Sequence, residues 1–255
     1  MRFIQQVECI GQTKSIAMNA NAKIAVGISI FSIAMAALEA AVVVYLRALY
    51  YPEEFTVGFR LIDESILLVE FAREAATLVM LISVGCIAGK NFNERLAWFL
   101  TSFAIWDISY YAWLKVFIGW PATFLDWDIL FLIPVTWIGP VAAPLICSVM
   151  MIVLSIALLR TDLTVPNTVW ALIFAGVTLI LFTFTRDYAG LIISNDLVLD
   201  YANLLQNEIF LEKAAALDPK PYLWKIFWTG QVMFLAGIVL LWRERAGSSR
   251  RLSPT

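Results

Sequence analysis

The sequence predicts an all-α membrane protein, a polytopic transmembrane helix bundle of about six spans, and three observations carry that prediction. The first is composition: of 255 residues 61% are hydrophobic and only 15% charged, with a mean hydropathy of +0.81, whereas soluble domains are about half apolar and a quarter charged. The second is the set of six runs, 24–46, 62–88, 96–118, 129–159, 168–185 and 222–242, which approach the ~20 apolar residues a helix needs to cross a bilayer. The third is the placement of tryptophan and of basic residues, both of which collect near membrane interfaces.

Residues 1–23 are too polar for the apolar core of a signal peptide. Ala37-Leu38-Glu39-Ala40 imitates a cleavage site, but the run continues through AVVVYL, so an uncleaved first span is expected. With six spans, the N-terminus, the second and fourth connections and the C-terminus share one side. That side holds Arg2, Lys14, Lys23, Lys90, Arg95, Arg160, Arg243, Arg245, Arg250 and Arg251. The opposite side holds Arg47, Arg60, Lys115 and Arg186, together with three lysines of a long fifth connection. Positive charge favours the cytoplasm, so both termini are expected there. Trp98, Trp170 and Trp242 then fall at inner ends, and Trp120, Trp127, Trp224 and Trp228 at outer ends. Trp106 and Trp113 lie inside the third span, seven apart and on one face.

The fifth connection repeats apolar residues at helical spacing through Ile193, Leu197, Leu204, Leu211 and Ala215. It predicts an amphipathic helix over about 195–217, capped by Ser194 or Asn195 and ended by Asp218-Pro219. Residues 243–255 read as a basic cytoplasmic tail, whose Arg250 and Arg251 can touch anionic lipid.

Composition also excludes. A net charge of −2 gives no basic excess for nucleic acid. The absence of histidine removes the commonest ligand for zinc, copper and haem, so no metal centre and no cofactor is expected. Cys9, Cys86 and Cys147 form no C-x-x-C, and the two in apolar runs read as buried small residues.

The sharpest signal is VEFAREAATLVML, residues 69–81, which places Glu70, Arg73 and Glu74 inside a span. Each ionisable group near the middle of a span costs about 2.5–3.5 kcal/mol on insertion scales. Glu70 and Glu74 share a helix face, with Arg73 able to bridge either. Glu39 in the first span and Asp107 in the third add carboxylates, with Tyr110 and Tyr111 about one turn from Asp107. At ~1.5 Å of rise per residue all four acids fall in the middle or outer half of the bilayer. Arg73 is the one clearly buried cation, with Arg47 and Lys115 nearest at the interface. Two readings are open: a salt-bridged core that fixes helix register, or an ion or substrate pathway formed by Glu39, Glu70, Arg73, Glu74, Asp107, Tyr110, Tyr111 and Lys115.

The fourth run, DWDILFLIPVTWIGPVAAPLICSVMMIVL, contains Pro134, Pro140 and Pro144. In a helix these remove hydrogen bonds to the carbonyls of Leu130, Thr136 and Pro140. Such a broken span either lines a site in the manner of transporters or is a kinked helix satisfied by its neighbours. Asp126 and Asp128 flank Trp127 at its outer mouth; capping is the favoured role over cation attraction.

EAAVVVYLRALYYPEEF, VEFAREAATLVML, WDISYYAWLKVFIGWP and DWDILFLIPVTWIGPVAAP resemble motifs of an uncharacterised family of polytopic bacterial membrane proteins. The resemblance covers Glu39 to Pro144. It implies a bacterial inner-membrane location and carries no activity, substrate or cofactor.

Three functions follow as expectations. The leading one is a small transporter or ion/proton pathway. The second is an accessory subunit whose carboxylates meet a basic partner, with Trp106 and Trp113 as a lipid-facing contact stripe. The third is a lipid-modifying enzyme using paired carboxylates as acid and base or as ligands for a hard cation. Partners are accordingly the lipid bilayer and a second copy or another membrane subunit.

Overall fold

The computed structural model describes residues 2–50, 64–160, 165–195 and 207–251. In chain order its elements are α1 (Arg2–Tyr50), α2 (Glu64–Ala88), α3 (Phe92–Ile118), β1 (Trp127–Phe131), β2 (Trp137–Pro140), α4 (Ala142–Leu159), α5 (Asn167–Ser194), α6 (Glu208–Ala215) and α7 (Trp224–Arg251). Helix dominates the described residues, and among them four helices are long and apolar enough to cross a membrane: Ala20–Tyr50 of α1, α4, α5 and Trp224–Arg243 of α7. Helix α1 begins at Arg2, ahead of its apolar stretch, and α7 runs past its own to Arg251.

Helix α3 is the hub, packed on α1, α2 and α4. Its start is set by Asn91, whose side chain accepts from the Glu94 N–H at 3.0 Å while the Glu94 carboxylate accepts from the Lys90 N–H at 2.8 Å, a reciprocal cap. Its end is set by Gly119 at φ 71°, a left-handed conformation that glycine adopts without a Cβ penalty. The α2–α3 face holds Trp106 against Met35 and Ala36 of α1 and Leu81 of α2. Trp106 is only 5% exposed, so it is not part of a lipid-facing stripe. Trp113 is half-buried and donates its Nε1–H to the Ile33 carbonyl at 3.0 Å.

The second half is held by α5 against α7. A Cβ at Gly176 would lie 2.6 Å from the Gly230 carbonyl oxygen, and one at Gly230 would lie 2.7 Å from that of Gly176. Two facing glycines thus bring the backbones into direct contact, which is how apolar helices gain dispersion energy where no hydrophobic effect drives them together. Around this contact, Val169 and Ile173 of α5 and Phe234, Ile238 and Leu241 of α7 pack with Leu154 and Leu158 of α4.

Three expectations are overturned. The run 129–159 is not one broken helix: its first part is the antiparallel hairpin β1–β2, with Trp127 opposite Pro140, Ile129 opposite Ile138 and Phe131 opposite Trp137, and only its last 18 residues are helical. Pro134 occupies the connection between the strands, where its missing N–H costs no ladder bond. Pro140 ends β2, and Pro144 is third in α4, where an N–H has no helical partner anyway. Leu130 and Thr136 therefore do not offer carbonyls freed from a helix.

The expected span 168–185 extends to Ser194, so Arg186 and Asp187 lie within α5, paired at 3.2 Å, with Arg186 also donating to the Pro221 carbonyl at 2.7 Å. Asn195 closes α5, its Nδ2 donating to the Leu191 carbonyl at 2.6 Å. Residues 196–206 of the expected amphipathic helix lie outside the described residues. The described part is α6, capped by Asn207 through a 3.0 Å bond from the Phe210 N–H and packed through Phe210 and Ala214 on Tyr188 and Ile192 of α5. Finally, Cys86 is exposed and Cys147 half-buried rather than both buried; Cys9 lies outside the residues whose side chains are described.

Candidate intramembrane cavity

The hairpin positions the site. Its backbone would be costly in an apolar medium unless covered by protein, and it is covered: Ile138, Gly139 and Pro140 are buried, with β2 against α4 and α5. At its tip the Leu132 N–H donates to Glu74 Oε2 at 2.8 Å. Glu74 lies ten residues from the start of α2, about 15 Å along the helix axis, so non-helical backbone reaches deep between the helices.

Between hairpin and helices lies one cavity of about 240 Å³. Glu39, Arg73, Glu74, Asp107, Tyr110 and Tyr111 all line it. The sequence's expectation of a shared polar cluster on the first three helices thus has a geometric counterpart. Leu130 and Pro144 also line it, although the hairpin, not a broken helix, brings Leu130 there.

Arg73 is the electrostatic centre, with one amino group 2.7 Å from Glu70 Oε2 and a second contact to Glu39 Oε1. Glu39 also accepts from the Thr77 hydroxyl at 3.2 Å. Glu70 is buried behind this pair and does not line the cavity. On the facing helix, Asp107 Oδ2 accepts from the Ser148 hydroxyl of α4 at 2.7 Å.

Lys115 belongs elsewhere. Its Nζ donates to the carbonyls of Gly119 at 2.9 Å and Pro121 at 2.7 Å, so it completes the C-terminus of α3. Arg47, expected near the interface, is only 9% exposed. It is paired with Asp128 at 3.1 Å and stacked 3.9 Å over the Trp120 ring. The Tyr111 hydroxyl also hydrogen-bonds Asp128. Neither acid flanking Trp127 caps a helix as the sequence suggested: strand β1, not a helix, begins at Trp127, and Asp126 closes the turn before it. Asp126 accepts from the Thr123 hydroxyl at 2.6 Å and from the N–H groups of Ala122 and Thr123 at 2.7 and 3.2 Å. These donors hold its carboxylate below the ordinary range.

The inventory of buried and ion-paired charges in the helices and hairpin is uneven among the described residues: Glu39, Glu70, Glu74, Asp107, Asp128 and Asp187 against Arg47, Arg73 and Arg186. The rest of the wall mixes aliphatic side chains such as Ile129, Met150 and Leu181 with a run of aromatic rings. Trp106 lies 5.4 Å from Phe103, 6.2 Å from Tyr110 and 6.3 Å from Phe131, and Trp137 lies 5.5 Å from Phe131 and 6.3 Å from Phe184. Sequence reasoning missed Asp128 as a buried acid, and missed Trp137, Ser148 and Gln231 altogether. Gln231, a lone amide in an apolar helix, carried a legible signal; Trp137 and Ser148 did not. No family model, no curated protein and no solved structure matches this chain.

Proposed function

We propose that this protein is a small transporter that binds a solute in the cavity between its helices, with Glu74 and Asp107 as the groups that recognise or relay its charge. The observation that carries this reading is that carboxylates from α2 and α3 line one cavity, each hydrogen-bonded there by a neutral donor, the Leu132 N–H and the Ser148 hydroxyl. Ionisable groups inside a bilayer are expensive and mark ion or substrate paths. Non-helical backbone at depth is another feature of transporter sites, and here it is supplied by a hairpin.

The same reading places six crossings, with both termini on the cytoplasmic face of a bacterial inner membrane. In its support, α2 and α3 have 25 and 27 residues, about 37 and 40 Å at the helical rise, enough for a hydrocarbon core of ~30 Å. Trp170 meets Phe92 at 6.2 Å, both at ends assigned to the inner side. Trp127 meets Tyr222 at 6.1 Å, and Tyr222 meets Trp224 at 4.8 Å, at ends assigned to the outer side.

The test is charge movement in proteoliposomes on a solid-supported membrane, challenged with panels of cations and organic solutes. Solute-dependent current in the native protein, abolished in Glu74→Gln and Asp107→Asn, is the expected result. Equal currents in all three proteins would refute the assignment.

A further inference from the structure

Resting on the reading of the cavity as the solute site, we propose that its occupant is a protonated organic amine with a cyclic or aromatic body and an acceptor oxygen. Size comes first. A cavity of about 240 Å³ is many times the ~10–15 Å³ that admits a single water, far more than a bare inorganic ion fills. The wall supplies the body's environment, since the rings of Phe103, Trp106, Tyr110, Phe131, Trp137 and Phe184 form a chain of contacts between 5.4 and 6.3 Å. Such faces attract cations as well as apolar groups.

Charge comes second. Arg73 is engaged by Glu39 and Glu70, and the direct hydrogen bonds of Glu74 and Asp107 within the cavity come from neutral donors. A cation seated between them offsets that surplus.

Hydrogen bonding comes third, and it narrows the class. Besides Arg73 Nη1, which meets Glu39 as an ion pair, three buried polar atoms on lining residues have no hydrogen-bond partner among the described residues: Trp106 Nε1, Trp137 Nε1 and Gln231 Oε1. Trp106 and Gln231 are 5% and 4% exposed. The Gln231 Nε2 is used by Cys147 Sγ at 3.2 Å, which leaves its oxygen as an acceptor. Unpaired buried groups of this kind cost stability until a partner arrives. The two indole N–H groups call for an acceptor on the ligand and the amide oxygen for a donor. A protonated amine with an ether, hydroxyl or carbonyl oxygen meets all three demands, whereas a quaternary ammonium has no N–H to give.

The probe is a panel of arylalkylamines with and without a ring hydroxyl or ether, each with its trimethylammonium analogue and its neutral alcohol. Binding is read from the unfolding midpoint of the full chain in nanodiscs, because a ligand stabilises by an amount set by its concentration relative to Kd. The amines should bind at least tenfold more tightly than either analogue. Glu74→Gln and Asp107→Asn should each weaken them at least tenfold. Trp106→Phe, which keeps the ring and removes the N–H, should weaken only amines with an acceptor oxygen. Alcohols binding as tightly as amines, amines unaffected by both carboxylate changes, or no binding anywhere in the panel would overturn the proposal. Exchange of bound amine across proteoliposomes separates the two readings: amines that bind without exchanging sink transport alone, and neutral analogues that exchange while amines do not sink the amine class alone.

Discussion

Replacing Glu74 tests the joint between hairpin and helix. Its carboxylate accepts from the Leu132 N–H at 2.8 Å, and Glu74 and Leu132 are only 7% and 8% exposed. A hydrogen bond to a charged group is worth about 1.5–3 kcal/mol and a neutral one about 0.5–1.5 kcal/mol. Glu74→Gln keeps an acceptor of the same shape and should cost about 1 kcal/mol from this bond. Glu74→Leu leaves the Leu132 N–H unsatisfied and should cost about 1–3 kcal/mol more, the desolvation penalty of an orphaned donor. The assay is reversible unfolding in mixed micelles under increasing SDS, paired with thiol labelling of a cysteine placed at Val135 beside the hairpin tip. Stability should fall in the order Glu, Gln, Leu while labelling rises in the same order. Equal stability and equal labelling in all three proteins would refute the claim that Glu74 pins the hairpin.

The Arg47–Asp128 pair, with side chains 10% and 3% exposed, should behave as a buried ion pair. Arg47→Ala alone should cost about 3–5 kcal/mol by leaving a buried charge, whereas Arg47→Met combined with Asp128→Leu should recover much of that loss, as read from the same SDS titration. Gly176→Ala drives a Cβ to 2.6 Å from the Gly230 carbonyl and should cost about 1–3 kcal/mol by overpacking. Gly190→Ala, in the same helix with nothing within 4 Å of its Cβ, should be neutral or stabilising by about 0.5–1 kcal/mol; equal losses at the two sites would contradict the close packing of α5 on α7. Asp126 is held below its ordinary range by Thr123, so its stabilisation is present above an unfolded carboxylate value of about 4 and is lost as pH falls through its lower folded value. The midpoint difference between native protein and Asp126→Asn should therefore stay constant from about pH 7 to 5 and shrink below about pH 4, and Thr123→Ala should diminish it throughout.

What the sequence determined by itself was the helical membrane class and the cluster at its centre. Long apolar runs can be read locally because each helix satisfies its own backbone. Charges inside such runs, Glu39, Arg73, Glu74 and Asp107, stand out because their cost in an apolar medium is high. Apolarity alone did not distinguish a buried strand from a buried helix in ILFLIPVTWIG, since both bury most of their faces. The turn at Pro134 between two short runs rich in Ile, Phe and Trp was the available strand signal. Only the tertiary structure decided that these runs pair across Ile129 and Ile138 and carry Trp137 to the cavity. It also decided that Arg47 is buried against Asp128, 81 positions away, and that Gln231 of α7 faces the same space as Asp107 of α3. These outcomes share one physical reason: the partners that satisfy such polar groups come from distant segments, so no local pattern of spacing or hydropathy specifies them.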